Sequence, residues 1–339
     1  MDSNKNDPGP EFIVGLIFRK NNPILFSIEN VFSMLTGIFE EQLIIQKQFV
    51  PYYTSSVTRI IANLFSADTR NADIFHVTGD IHYMVLALPG KKTILTIHDS
   101  VFIRNSTGLK RILFRWLFLK LPVRACRQVT TISEKSKQEI IQYTGCHPDK
   151  ICVIPNPVRQ NIPFVEKKMD KHAPLFLFIG STANKNLARV LDAIKGIPCQ
   201  LDIVGRIPED HLVLLEQYRI RFRSFEQLSE KAMTERYLAC DIVLFPSTYE
   251  GFGLPIIEGQ KAGRAVLTSN VSPMREVASG AACLVDPEDT QSIRFGILKL
   301  IDDDSYREEL IKKGLDNVRQ YNPEQIAAQY MALYRKISV

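Results

Sequence analysis

The sequence predicts an α/β protein of two Rossmann-like parallel-sheet domains facing across a cleft, on three observations. Its 339 residues suit two domains of ordinary size. Short apolar runs alternate with helical stretches through both halves, the pattern of strand–helix–strand units in a parallel sheet. The alternation breaks once, at NPVRQNIPFVEKKMDKHAP (156–174), whose three prolines and charge cluster read as a linker.

In the first half, FIVGLIF (12–18), ADIFHV (72–77), KTILTI (92–97), RQVTTI (127–132) and KICVI (150–154) are short runs rich in branched residues, the mark of strands buried on both faces. Helical stretches fall between them at 28–45, 56–65, 107–122 and 134–143, the last opened by Ser133 as N-cap. In the second half the strands are LFLFIG (175–180), QLDIVG (200–205), DIVLFP (241–246), AVLTS (265–269) and ACLV (282–285). Helices are expected at 186–195, 208–217, 228–239, 254–262, 289–300 and 304–317, and an amphipathic helix over about 323–336 ends the chain.

Composition narrows the function classes. With 45% apolar and 23% charged residues the chain is globular. It has no run of 18 uncharged apolar residues and no signal-peptide pattern in MDSNKNDPGPEF, which sets the expectation of a cytoplasmic protein. Six dispersed cysteines without a C-x-x-C pair argue against a disulfide framework or a zinc site. Residues 1–160 hold 19 Lys+Arg against 13 Asp+Glu, whereas 161–339 hold 23 against 24. Seven of the cations (Arg104, Lys110, Arg111, Arg115, Lys120, Arg124 and Arg127) follow one another without an acid. In GLKRILFRWLFLKLPVR (108–124) five of them are mixed with Trp116 and several Phe and Leu, which fits either an anionic lipid surface or a sheet-covering helix with a basic face. No nucleic-acid partner is expected.

The most informative stretch is FPSTYEGFGLPIIEGQKAG (245–263). A strand ends at Phe245–Pro246 and a loop with Gly251 and Gly253 leads into a helix near Leu254–Pro255, where a proline costs no hydrogen bond. Glycines admit a ligand close to the backbone, and free amides at a helix start suit a phosphate. Glu250 and Glu258 bracket this loop; carboxylates repel a diphosphate, so they suit neutral hydroxyls. The Asp302–Asp304 run lies between two helices and reads as an N-cap, so no metal site is expected.

The E-x7-E spacing of Glu250 and Glu258 around GFGLPII resembles the signature of the family 4 retaining glycosyltransferases, which have the GT-B fold and use nucleotide-sugar donors. Collinear segments resemble the same family: HVTGDIHY (76–83), TILTIHDS (93–100), TTISEKSKQEI (130–140), VIPNPV (153–158), LFLFIGSTANKNLARVLDA, QLDIVGR and LACDIVLFPSTYEGFGLPIIEG. The resemblance implies that Glu250 contacts the transferred sugar and Glu258 the ribose. It also implies that backbone amides around Gly251, Phe252, Gly253 and Leu254 line the donor, that Lys185 holds the diphosphate, and that His98 lies near the reacting centre. Where many members carry a second phosphate-clamping arginine this chain has Ser181, and Arg206 is the substitute. On the acceptor side the candidates are His82, Asp99, Arg19 and Lys20, with His76 equally compatible with a core role. The loop after the first strand, FRKNNPILFSIENVF (18–32), lacks the family's usual glycines, and Ser27 with Glu29 forms a candidate helix cap there.

These readings set the expectation of a retaining, metal-independent glycosyltransferase without a cofactor. It would use a nucleotide-diphosphate sugar and a glycan or lipid-linked acceptor, and would sit peripherally on an anionic membrane surface if the basic stretch 104–127 meets lipid and is not ordinary core packing. The expected domains are 1–160 (acceptor side), 161–320 (donor side) and a helix, 321–339, packing back on the first. A catalytically silent sugar-nucleotide-binding subunit is the alternative. A nicotinamide-dependent oxidoreductase would need G-x-G-x-x-G where the sequence has FRKNNP.

Overall fold

The computed structural model describes residues 12–20, 27–104 and 106–338. The Ser27–Glu29 cap and the side chain of Lys110 lie outside the described residues. Two compact units result, one running to Asn156 and resumed at Pro323, the other Pro157–Asn322.

The first unit holds β1 (Ile13–Phe18), α1 (Ser27–Phe39), β2 (Ile44–Phe49), α2 (Val57–Phe65), β3 (Ile74–Val77), β4 (Thr93–Ile97), α3 (Val101–Arg104), α4 (Gly108–Phe114), α5 (Leu121–Ala125), β5 (Gln128–Thr131), α6 (Glu134–Thr144) and β6 (Ile151–Val153). All six strands are parallel in the order β2-β1-β3-β4-β5-β6. Because successive side chains in a strand point to opposite faces, β1 sends Val14, Leu16 and Phe18 to one core and Ile17 to another. As expected, Ser133 caps α6, accepting the amide of Ser136 at 3.1 Å.

The second unit holds β7 (Leu175–Ile179), α7 (Leu187–Ile194), β8 (Gln200–Val204), α8 (Glu209–Gln217), β9 (Arg221–Phe225), α9 (Glu230–Ala239), β10 (Ile242–Phe245), α10 (Leu254–Lys261), β11 (Ala265–Ser269), α11 (Met274–Ala278), β12 (Cys283–Val285), α12 (Thr290–Asp302) and α13 (Asp304–Asn317). Its parallel order is β12-β11-β10-β7-β8-β9. The aspartate run does cap a helix: Asp303 accepts the amide of Tyr306 at 2.9 Å at the start of α13.

The final helix, α14 (Pro323–Ser338), belongs to the first unit. Its Ile326, Ala327, Tyr330, Leu333 and Tyr334 join the core beside Phe32, Leu35 and Phe39. His76 anchors it. One imidazole nitrogen meets the Tyr334 hydroxyl at 2.7 Å and the other the Thr96 hydroxyl at 2.6 Å, within a fully buried site. The fold thus uses His76 as a buried tie between β3, β4 and α14.

Three expectations are corrected. The helix expected over 28–45 stops at Phe39 and residues 44–49 form the unanticipated strand β2, while 221–225 form β9, which showed no apolar run. Both are edge strands and keep exposed side chains, so neither shows the continuous hydrophobicity of a central strand. Arg223 of β9 gains its place by a bidentate pair with buried Asp202 on β8, at 2.7 and 2.9 Å. Second, residues 157–174 are built into the second unit and are no free linker. Val158 and Ile162 are buried, and Lys167 Nζ reaches Asp241 at 2.5 Å and the Ala239 carbonyl at 2.6 Å. Third, the helix expected over 107–122 is interrupted by a π-turn at Arg115–Lys120 between α4 and α5.

Burial lowers the pKa of His76 to about 3, and burial likewise lowers those of His82 and His98. A histidine neutral in the fold but protonated when unfolded removes about 1.4 kcal/mol of stability per pH unit between its two pKa values. Stability should therefore fall as the pH drops from 6.5 towards 4. His76→Asn should lower the thermal midpoint at pH 8 yet flatten its decline with acid; an unchanged decline would contradict the assignment.

Candidate active site

In the second unit β8 and β9 extend the sheet from one side of β7, and β10 to β12 from the other. The switch lies between β7 and β10, where open α/β sheets bind ligands beyond their strand ends. The loops following these two strands are sewn together. Thr248 donates its amide to the Asn184 carbonyl at 2.8 Å, and Asn184 Nδ2 reaches the Tyr249 carbonyl at 2.8 Å. Asn186 Nδ2 donates to the Pro246 carbonyl at 3.0 Å.

Across this seam Lys185 Nζ pairs with Glu250 Oε1 at 2.6 Å, their side chains only 20% and 13% exposed. The ammonium also lies 4.9 Å from the Phe245 ring centroid. Lys185 can lie back over the strand end because Gly180 has φ +113 and no Cβ. A Cβ there would stand 2.6 Å from the Lys185 chain. Gly205, after β8, lies against Gly180 and Ser181, where a Cβ would stand 3.1 Å from the Gly180 carbonyl carbon.

Gly253 (φ +112) begins α10, and Pro255 falls in its first turn. Leu254 is half-buried, whereas Phe252 is buried against Tyr321, with ring centroids 5.6 Å apart. Further along α10, Gly259 would place a Cβ 2.9 Å from Val243 and 3.0 Å from Val266, so the helix lies close on β10 and β11. That approach carries Glu258 inward to 6% exposure. Its Oε1 accepts from Arg159 Nε at 2.6 Å and its Oε2 from the Tyr237 hydroxyl at 2.7 Å. Burial, reinforced by the neighbouring carboxylate, holds the Tyr237 phenol well above its usual range.

Lys185, Glu250, Gly251, Phe252, Gly253, Leu254 and Glu258 therefore gather on the β7 and β10 loops and α10. Ser181 and Arg206 are exposed on the loops after β7 and β8. Arg159 and Tyr237 were not anticipated. They lie 99 and 21 residues from Glu258 in the chain, a separation no local pattern reveals.

The first unit repeats the arrangement. Its switch lies between β1 and β3, and Arg19 after β1 pairs with Asp80 after β3 at 3.1 Å. Lys20 is exposed and places its ammonium 5.2 Å from the Tyr53 ring centroid. After β4, half-buried His98 sits with Nε2 2.9 Å from the Thr78 carbonyl. Burial lowers its pKa, against the opposing pull of that carbonyl and of Asp99 and Asp80. At neutral pH the ring therefore donates through Nε2 and keeps Nδ1 as an acceptor. Asp99 accepts the Val101 amide at 3.0 Å, and His82, 3% exposed, donates Nδ1 to the Phe118 carbonyl of the π-turn at 2.7 Å. Among the described residues no three His, Cys, Asp or Glu side chains converge as a metal-binding group.

Two family models match the chain: Glycosyltransferase Family 4 over residues 41–161 and Glycosyl transferases group 1 over 159–316. The two matches together run from residue 41 to residue 316, and the chain is a glycosyltransferase similar to both families. It is 27% identical to O-antigen chain mannosyltransferase B of Escherichia coli over 72% of this chain and 70% of that protein. A second similarity, also 27%, is to the serotype-specific mannosyltransferase WbdA of Escherichia coli, over 54% of this chain and 25% of that protein. The chain thus spans about a quarter of WbdA. Among solved structures it is similar to HepE of Anabaena, determined with UDP and glucose. The TM-score is 0.77 at 13% identity, covering 95% of this chain and 99% of that one. This glycosyltransferase therefore has the two-sheet GT-B architecture.

The Gly180 geometry makes a direct prediction. Gly180→Ala forces a side chain into a left-handed backbone and against Lys185, at a cost of about 1–3 kcal/mol. Glycosyl transfer should fall at least tenfold, by about 1.4 kcal/mol of barrier, with the circular dichroism spectrum preserved. Wild-type turnover would contradict this placement of Lys185.

Proposed function

We propose that this glycosyltransferase moves a hexose, with retention, from a nucleoside-diphosphate sugar to a glycan or lipid-linked glycan in polysaccharide synthesis. The observation that carries the reading is the Lys185–Glu250 pair across the switch-point loops. It sets a cation beside a hydroxyl-accepting carboxylate at the start of α10, the two needs of a sugar diphosphate. Lys185 and the first amides of α10 stabilise charge on the departing diphosphate electrostatically, so the reaction needs no metal ion. Arg206, with Ser181, completes the phosphate side. Glu250 holds sugar hydroxyls and Glu258 the ribose.

In the step itself the bond from the anomeric carbon to phosphate oxygen breaks and a bond to the acceptor oxygen forms on the same face. The departing phosphate takes the acceptor's proton. Within the first unit, neutral His98 keeps Nδ1 as an acceptor for a substrate hydroxyl, and Arg19, Lys20, Asp99 and His82 are that unit's acceptor-side residues. The relatives' names support an O-antigen-type polysaccharide, and GDP-mannose and UDP-glucose are the first donors to assay.

Glu258→Ala should weaken both the donor and the free nucleoside diphosphate at least tenfold. Glu250→Ala should reduce turnover at least a hundredfold and leave the free diphosphate's affinity within threefold. Both measurements are made in excess EDTA. Equal losses of nucleotide affinity, or activity that EDTA abolishes and magnesium restores, would contradict the roles given.

We further propose that the first unit rests peripherally on anionic lipid at the cytoplasmic face. Leu109, Ile112, Leu113 and Trp116 follow helical spacing and are 84%, 51%, 59% and 42% exposed, while Leu119 and Val123 turn into the core. Around this stripe Arg104, Arg111 and Arg124 are exposed, and Lys120 covers the Trp116 ring at 4.3 Å. Each cation near anionic lipid contributes about 1 kcal/mol, screened beyond about 8–10 Å. Among the described residues no helix is long and apolar enough to cross a membrane. The protein should co-sediment with phosphatidylglycerol vesicles at low salt and lose most of that binding in Arg111→Gln/Trp116→Ser; no binding to such vesicles would refute the proposal.

A further inference from the structure

The second glutamate of the E-x7-E pair is held by two residues outside the motif, and their geometry gives them a function. Glu258 is 6% exposed, yet both carboxylate oxygens are engaged, Oε1 by Arg159 Nε at 2.6 Å and Oε2 by the Tyr237 hydroxyl at 2.7 Å. The partners approach from different elements. Arg159 lies in the segment entering the second unit and Tyr237 on α9, whereas Glu258 projects from α10. Tyr237 is itself fixed, since buried Arg264 donates from Nε to the Tyr237 carbonyl at 3.0 Å and from Nη2 to that of Leu238 at 3.1 Å. The Arg159 guanidinium lies 5.9 Å from the Tyr237 ring centroid, so the three side chains form one cluster.

The two bonds, one to each oxygen, set the plane of the Glu258 carboxylate. Each oxygen retains a second lone pair for an incoming hydroxyl.

We propose that Arg159 and Tyr237 are positioning residues for nucleoside recognition: they hold the Glu258 carboxylate in the orientation that reads the ribose hydroxyls of the donor. The proposal rests on the reading of Glu258 as the ribose ligand. It goes beyond that reading by assigning selectivity for ribose to two residues that do not touch the sugar's reacting centre. The Arg159 Nη nitrogens meet no partner among the described residues, so the guanidinium is not consumed by a wider structural network.

The test is calorimetric titration of the full chain with UDP and GDP, each against its 2′,3′-dideoxy analogue. The preferring base is used for the variants. Wild type should favour the ribonucleotide at least thirtyfold. Glu258→Gln should bring the ratio near one, Arg159→Gln should reduce it at least fivefold, and Arg159→Lys should recover part of it. Tyr237→Phe, which removes one hydroxyl, should reduce the ratio about threefold and serves if Arg159→Gln does not fold. A merely structural ion pair would alter the thermal midpoint and leave the ratio alone. A wild-type ratio in both Arg159→Gln and Tyr237→Phe, with loss in Glu258→Gln, would overturn the positioning roles. A wild-type ratio in Glu258→Gln would overturn the ribose reading beneath them.

Discussion

Holding an ammonium and a carboxylate together at a strand end, away from most water, is the constraint on which the switch-point structure of the second unit depends. The Lys185–Glu250 pair joins loops 65 residues apart in the chain. Removing one partner of such a largely buried pair leaves the other uncompensated, at a cost of about 3–5 kcal/mol when burial is complete. The surrounding structure serves this pair. Gly180 gives Lys185 its path, Asn184 and Asn186 tie the loops with amide bonds, and Gly253 turns the chain so that α10 starts beside them. The parallel sheet makes the meeting possible, since at its switch point the connections after two neighbouring strands leave in opposite directions.

The first unit solves the same topological problem with different chemistry. Arg19 and Asp80 bridge its switch-point loops, and His98 is held by the Thr78 carbonyl one strand away. Its stability depends further on a segment remote in sequence. Helix α14 completes the core beneath β1 and β3, and a buried His76–Tyr334 bond fixes it there. The C-terminal helix is thus a structural member of the first unit although the chain reaches it only after completing the second.

Much of this was legible from the sequence. Central parallel strands are buried on both faces and appear as apolar runs, so β1, β3, β4, β7, β8, β10 and β11 stood out. The edge strands β2 and β9 did not, because half-exposed strands carry Lys, Gln and Arg. The segment 157–174 looked like a linker because its order comes from contacts such as Lys167–Asp241, 74 residues away, and not from local periodicity. Motif spacing singled out Glu250 and Glu258, and the family resemblance Lys185. Neither could reveal Arg159 or Tyr237, whose bonds to Glu258 form only once three elements have packed together. His76 and His82 were ambiguous for the same reason. A histidine's spacing does not tell whether it meets a ligand, a tyrosine in a distant helix or a carbonyl in a π-turn.

The central claim is that the switch point of the second unit holds the donor. A crystal structure of the protein soaked with the nucleoside diphosphate it binds best tests this most directly. The account predicts the diphosphate against Lys185 Nζ and the first amides of α10, with the ribose hydroxyls on Glu258. A nucleotide bound elsewhere, with these residues undisturbed and making no contact to it, would contradict the account.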